Sequence, residues 1–247
     1  MTVRIAMWSG PRNISTAMMR AFENRTDTAV IDEPFYAAYL ALTGLDHPMR
    51  EETLRTQPLD VRAVADALAG QVPGGRAVFY QKHMTHHMLP SVPRDWMAQC
   101  RSAFLIRPPE AVLASYAAKR ASVTLDDIGF VRQAELFERE ADRLGRAPPV
   151  VEAGDVLADP RGVLSALCAA LGIGFEQRML SWPPGRRDTD GIWGQVWYEA
   201  VERSTGFAPP RPLATPADLP ERLRPIADAA RPHFQRLAAY KLAPQPG

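Results

Sequence analysis

The sequence predicts an α/β fold: one parallel sheet with helices on both faces, followed by a loop-rich C-terminal wrap. Three observations lead there. Short apolar runs at residues 3–7, 29–31, 77–80, 103–106 and 149–152 have the length and composition of buried strands. Helical patterns over 16–23, 34–42, 61–68, 110–119, 125–144 and 160–171 separate them, and that alternation is the signature of parallel pairing. The length of 247 residues suits one large domain of this kind.

The first strand, with Val3, Ile5 and Met7, runs directly into Ser9-Gly10-Pro11-Arg12-Asn13 and then into a helix. Such a turn either wraps an anion against unpartnered helix amides or is an ordinary capped junction. After the second strand come Asp32, Glu33 and Pro34. A proline can open a helix, which makes Asp32 an expected N-cap and Glu33 a cap or a base. The third strand delivers Gln81, Lys82 and His83 to the same sheet edge within "FYQKHMTHHMLP". His83 and His87 are spaced i, i+4, but no glutamate or third ligand accompanies them, so no metal is expected.

The fourth strand ends at Arg107, and the helix that follows carries Ser115 eight positions on. Both can face the crevice beyond the strand ends, or serve as a surface ion pair and a mid-helix serine. Asp159-Pro160 starts a helix, and Leu157, Leu164, Leu167, Cys168 and Leu171 give a helical apolar stripe ended by Gly172, a core pattern. Beyond Trp182, "PPGRRDTDGIWGQVWYEAVERSTGF" shows no period. Residues 208–247 follow as a proline-rich connector and a closing helix over 221–239, interrupted near Pro225 and Pro232. The simplest reading is one domain over 1–247.

Apolar residues make up 46% and charged residues 23% of the chain, and its net charge is +1. That balance carries no global nucleic-acid footprint, so an anion site must be a local cluster. No apolar stretch approaches the roughly 18 residues of a membrane span, and the N-terminal run is broken by Arg4 and Pro11. Cys100 and Cys168 form no CxxC pair, which removes a disulfide framework and a cysteine zinc site; a cytoplasmic location is expected.

Together these stretches resemble the sulfotransferases that use 3′-phosphoadenosine 5′-phosphosulfate (PAPS), closest to the compact bacterial ones. "SGPRNIST" resembles the family's 5′-phosphosulfate loop, and "RPPEAVLAS" its 3′-phosphate motif of an arginine and a serine eight positions later. "QKHMTHHMLP" resembles the stretch with the acceptor-activating histidine, and "GRRDTDGIWGQ" lies where a basic, glycine-containing loop covers the nucleotide. The resemblance spans residues 3–207. It departs where Arg12, Asn13 and Ile14 replace the usual lysine and Ser-Gly-Thr. Ile14 resists positive φ, so a different loop geometry is open. Lys82 also stands next to His83, rather than two positions before it.

The resemblance implies a P-loop-type fold and sulfuryl transfer from PAPS to a hydroxyl, or an amine, of a small acceptor. It implies nucleotide binding by Ser9, Gly10, Arg12, Asn13, Ile14, Ser15 and Thr16, with Arg107 and Ser115 on the 3′-phosphate. Arg186, Arg187, Gly191 and Trp193 would close over the nucleotide. Glu33 or His83 would take the acceptor proton, with Arg12 and Lys82 supplying charge. Glu33 is favoured on the ground that a carboxylate beside Arg12 stays ionised. A small-molecule kinase is the alternative, although Gly10 is not followed by Gly-Lys-Ser/Thr. A non-catalytic nucleotide-binding regulatory module is a third.

Overall fold

A computed structural model of the chain describes residues 2–117, 122–210, 212 and 214–245. Its sheet comprises β1 (Val3–Ser9), β2 (Thr28–Asp32), β3 (Val78–Met84), β4 (Arg101–Ile106) and β5 (Val150–Glu152). The five strands lie in the order β2-β3-β1-β4-β5, and every pairing is parallel, as the alternating pattern predicts. Met7 pairs with Lys82, Lys82 with Asp32, and Ser9 with Leu105. The carboxyl ends of β1, β2, β3 and β4 are therefore level, and the loops that leave them share one edge of the sheet.

Strand alternation divides the core in two. Ile5, Met7, Tyr80 and Leu105 face α1 (Ser15–Glu23), α8 (Ala153–Ala158) and α9 (Pro160–Ala170). Ala6, Trp8, Phe79 and Phe104 face α4 (Val61–Ala69), α7 (Phe130–Leu144) and the end of α12 (Arg224–Ala238). Two helices follow β2, α2 (Tyr36–Thr43) and α3 (Arg50–Thr56), and α5 (Pro109–Ala117) follows β4. The tail returns to the sheet: Leu242 N donates to Val150 O at 2.9 Å beside β5.

Several expected boundaries move, each for a local reason. The helix expected over 125–144 divides into α6 (Leu125–Ile128) and α7 at Gly129, whose φ is 70°. A Cβ at Gly129 would lie 2.5 Å from Thr85 Oγ1, whose hydroxyl donates to Gly129 O, so only glycine permits this approach. The helix expected from Pro34 starts at Tyr36, because Glu33 is left-handed (φ 44°). Pro225 occupies the first turn of α12, where no hydrogen bond is lost, and the helix continues past Pro232. Leu164, Leu167, Cys168 and Leu171 are buried as expected, but Leu157 turns to a cavity and Val156 takes its place in the core. Residues 118–119 of the expected 110–119 helix lie outside the described residues. No described helix is long and apolar enough to cross a membrane.

Candidate active site

The β1–α1 loop builds an anion-receptive end. Arg12 (φ 62°) and Ile14 (φ 55°) are both left-handed, so Ile14 accepts the conformation that β-branching disfavours. Such residues cost on the order of 1–3 kcal/mol each and persist where surrounding structure holds them. Here the Ile14 side chain packs on the α1-side core, and Asn13 Nδ2 donates to Leu105 O at 3.2 Å. A Cβ on Gly10 would fall 2.6 Å from Ile128 O, so the loop's first residue is also confined. Ser9 lies buried beneath the loop, its hydroxyl 3.9 Å from Met84 Sδ.

The loop opens straight into α1. Its first internal bond is Met18 N to Ile14 O, and the amides of Ser15, Thr16 and Ala17 donate to no carbonyl among the described residues. Arg12 Nε donates to Ser115 Oγ at 2.9 Å, and Arg107 Nη1 donates to Arg12 O at 2.6 Å. The structure thus brings Arg12, Arg107 and Ser115 together. No carboxylate among the described residues pairs with either guanidinium. Burial lowers the pKa of both, and Arg12's charge lowers that of Arg107 further. Two adjacent cations at a helix N-terminus without a counter-ion form a site that favours an anion.

A second cluster lies beyond β2 and β3. Lys82 is fully buried, and its Nζ donates to Asp32 Oδ1 (2.8 Å), Glu33 Oε1 (2.6 Å) and Tyr198 OH (2.6 Å). Asp32 Oδ2 receives the Gly191 amide at 3.0 Å. Asp32 is therefore the buried partner of Lys82 and not a helix cap. Burial, opposed by Lys82 and reinforced by Asp32, raises the Glu33 pKa. The cation beside Glu33 is Lys82 rather than Arg12. The two carboxylates in turn raise the Lys82 pKa against the effect of burial.

His83 is placed elsewhere. It is 2% exposed and stacks on Trp8 at a ring distance of 4.5 Å, with Trp96 and Phe35 around it and Nε2 3.2 Å from Gln81 Oε1. Burial pushes its pKa down to about 3. Strand alternation turns Lys82 to the cavity and His83 to the α4–α7 core, so His83 lines no part of the cavity.

The glycine-containing loop divides likewise. Trp193 packs edge-on against Tyr36 on the cavity wall, and a Cβ at Gly191 would overlap its ring at 2.1 Å. Arg187 is turned away, with its Nη2 on Pro183 O and its Nε 3.9 Å from Glu23, and Arg186 is exposed. Neither arginine lines the cavity. The buried pair of Arg20 Nη2 and Asp190 Oδ2, at 2.6 Å, fixes this loop to α1.

The cavity joining these groups has a volume of about 350 Å³, in the range of small-molecule sites. Arg12, Arg107 and Ser115 line it together with Glu33 and Lys82. Its remaining wall is largely aromatic and apolar, with Tyr36, Trp197, Val201 and Phe207 beside His47 and His87. Among the described residues, no group of three or more His, Cys, Asp or Glu side chains is placed to hold a metal ion.

Residues 3–239 match the sulfotransferase domain family. The chain belongs to that family. It is 33% identical to two proteins of Arabidopsis thaliana, branched-chain-amino-acid aminotransferase-like proteins 1 and 2. Those matches cover 98% and 94% of this chain but only 44% and 42% of the relatives, so the chain spans less than half their length. In fold, this sulfotransferase-family chain resembles a sulfotransferase from Alicyclobacillus acidocaldarius (TM-score 0.54, 15% identity, 98% of each chain). It also resembles the sulfotransferase domain of the Synechococcus PCC 7002 olefin synthase (TM-score 0.54, 18% identity, 98% of this chain and 96% of that one).

Sequence reasoning on this sulfotransferase-family chain missed Tyr198 and Asp32 as network members, and His47 and His87 as wall residues. Tyr198 sits in the stretch without periodicity, where only its aromatic company marked it. His87 stacks on Tyr36 at 4.8 Å and is 2% exposed; burial, then His86 and His47, hold its pKa well below the usual histidine value. Because His83 and His87 bind protons less readily folded than unfolded, stability is fully present above about pH 6.5 and is lost below it. The expected slope is about 1.4 kcal/mol per pH unit for each histidine. Guanidinium unfolding at pH 7.5 and 5.5 tests this, and His83→Phe is expected to remove one histidine's share. Equal stability at both pH values in a Glu33→Gln background, where the opposing Glu33 titration is absent, would show that these histidines are not held neutral.

Proposed function

We propose that the chain transfers a sulfuryl group from PAPS to a hydroxyl, or less readily an amine, of a small acceptor. One observation carries the reading. A single cavity is lined by two guanidiniums that no carboxylate among the described residues pairs with, at a helix N-terminus, together with the buried carboxylate of Glu33. The donor end fits a 3′,5′-bisphosphorylated nucleotide. The β1–α1 loop and the amides of Ser15 and Thr16 would hold the 5′-phosphosulfate, and Arg107 and Ser115 the 3′-phosphate. PAPS supplies the sulfuryl group and a leaving phosphate; Arg12 is positioned to offset the charge that develops there.

At the other end, Glu33 would accept the acceptor's proton. Its raised pKa makes it a stronger base than an exposed carboxylate. His83, stacked within the core, takes no part in this reading. Lys82 has all three donors engaged, so it holds the two carboxylates rather than the substrate. The aromatic wall suits the apolar body of an acceptor.

Ligand-dependent melting is the test. Adenosine 3′,5′-bisphosphate at a hundredfold excess over its dissociation constant is expected to stabilise the protein by about 2.7 kcal/mol. For a chain of this size the melting temperature then rises by roughly 5–10 °C. 5′-AMP is expected to do far less, and excess chelator to leave the effect intact. Arg107→Ala is expected to erase most of the preference, because a charge-assisted hydrogen bond contributes about 1.5–3 kcal/mol. Stabilisation by ATP with magnesium alone would replace this reading with a kinase. Binding of the bisphosphate without turnover of PAPS, across a panel of acceptors, would leave a binding module.

A further inference from the structure

Four polar side chains around Glu33 form a junction that is almost saturated. The Tyr198 hydroxyl accepts from Lys82 Nζ at 2.6 Å and from Trp193 Nε1 at 3.1 Å. Its single proton is left for Asp32, whose Oδ2 lies 2.8 Å away, with Glu33 Oε1 a longer second acceptor at 3.4 Å. Lys82 spends its three donors on Asp32, Glu33 and Tyr198. Asp32 accepts from Lys82, Tyr198 and the Gly191 amide. Spare capacity is confined to Glu33, whose Oε1 is tied to Lys82 while Oε2 accepts nothing from the described residues on the cavity wall.

We infer that Tyr198 is a positioning residue for Glu33: its hydroxyl locks the Lys82 ammonium onto Glu33 Oε1, leaving Oε2 alone to meet an acceptor proton. The inference rests on the proposed role of Glu33 as base. Tyr198 ends the short helix α10 (Gly194–Trp197) and precedes α11 (Glu199–Glu202), so the C-terminal wrap completes a site whose other members lie on β2 and β3. Other groups facing Glu33 are Asp32 from β2, Lys82 from β3, Arg12 from the first loop, and His47, His86 and His87 across the cavity.

Without the hydroxyl, Asp32 loses a donor and Lys82 keeps only two acceptors. The buried negative charge next to Glu33 is then less well compensated, and Glu33 holds its proton more tightly. The same hydroxyl, 3.4 Å from Glu33 Oε1, also works directly against the rise that burial imposes on Glu33.

The test uses Tyr198→Phe, alone and with Glu33→Gln, beside wild type and Glu33→Gln. Denaturant unfolding from pH 4.5 to 8.5 gives, within each pair of proteins differing only by Glu33→Gln, the titration of Glu33 alone. A carboxyl raised in the folded state loses stability as pH rises from about 4.3, and the loss stops at the folded value. In the Tyr198→Phe background that end point is expected to move up by about 0.5–1 pH unit, the equivalent of one lost hydrogen bond. The acid limb of kcat/KM is expected to move the same way with KM for PAPS unchanged. Trp193→Phe, which removes one donor to Tyr198, is expected to give a smaller shift in the same direction. It serves as the test should Tyr198→Phe not fold. A lower melting temperature with an unmoved Glu33 end point would overturn the inference and leave Tyr198 a packing residue. Failure to bind adenosine 3′,5′-bisphosphate would instead remove the sulfuryl-transfer reading, while the stability titration still decides the role of Tyr198.

Discussion

Glu33→Gln is expected to lower turnover by roughly 10²–10⁴-fold, the usual loss for a missing general base, with nucleotide affinity close to wild type. The geometry separates the two effects. Glu33 follows β2 and pairs with Lys82, whereas the proposed nucleotide groups Arg12, Arg107 and Ser115 bond one another. Stability is expected to move the other way. Glu33 binds its proton more tightly folded than unfolded, so its ionised form costs stability at neutral pH, a cost that grows from about pH 4.3 up to the folded value. A neutral glutamine escapes that cost, and Asp32 still balances Lys82. Glu33→Gln should therefore melt at or above the wild-type temperature while being nearly inactive, the pattern of a site strained for function. Steady-state kinetics, bisphosphate titration and melting on one preparation decide it. Wild-type turnover would remove Glu33 as the base, and lost nucleotide binding would place it in the donor site.

Lys82→Met is expected to be the most damaging single change to stability, about 3–5 kcal/mol at neutral pH. The substitution keeps the volume and removes the charge, leaving Asp32 and Glu33 buried side by side with no cation. Like charges at that separation do not both remain ionised, so a proton is recruited. The sign follows: the variant's Glu33 pKa rises further, the folded state gains a proton on acidification, and the deficit relative to wild type shrinks from pH 8 toward pH 5. Comparing the variant with wild type at each pH cancels the histidine-driven loss common to both. Denaturant unfolding at the two pH values measures the deficit. A deficit of equal size at both would mean that lost packing, rather than charge, accounts for it.

The local chemistry of the sequence was enough to predict the parallel sheet, the break at Ser9-Gly10-Pro11-Arg12-Asn13, the turning of Arg107 and Ser115 to one crevice and the core stripe of α9. Each rests on neighbours a few positions apart: strand length, turn residues and helical spacing. The same local reading placed Glu33 and Lys82 at one sheet edge. It could not choose between Lys82 and His83, because every residue of β3 is buried and polar alternation, the usual marker of the inner face, is missing. Only sheet register and the helices on each face turned Lys82 to the cavity and His83 to the core. The role of Asp32 was misjudged for a related reason: a cap is a local fit, whereas its true partners lie 50 and 166 residues away. Ile14 took a conformation that its own chemistry opposes, because its packing and the hydrogen bond made by neighbouring Asn13 hold the loop. Tyr198 had no periodic signal at all. The stretch around it is short helices and turns, and where it docks is decided by the aromatic and charged surface that the folded sheet presents, a tertiary property that no window of sequence contains.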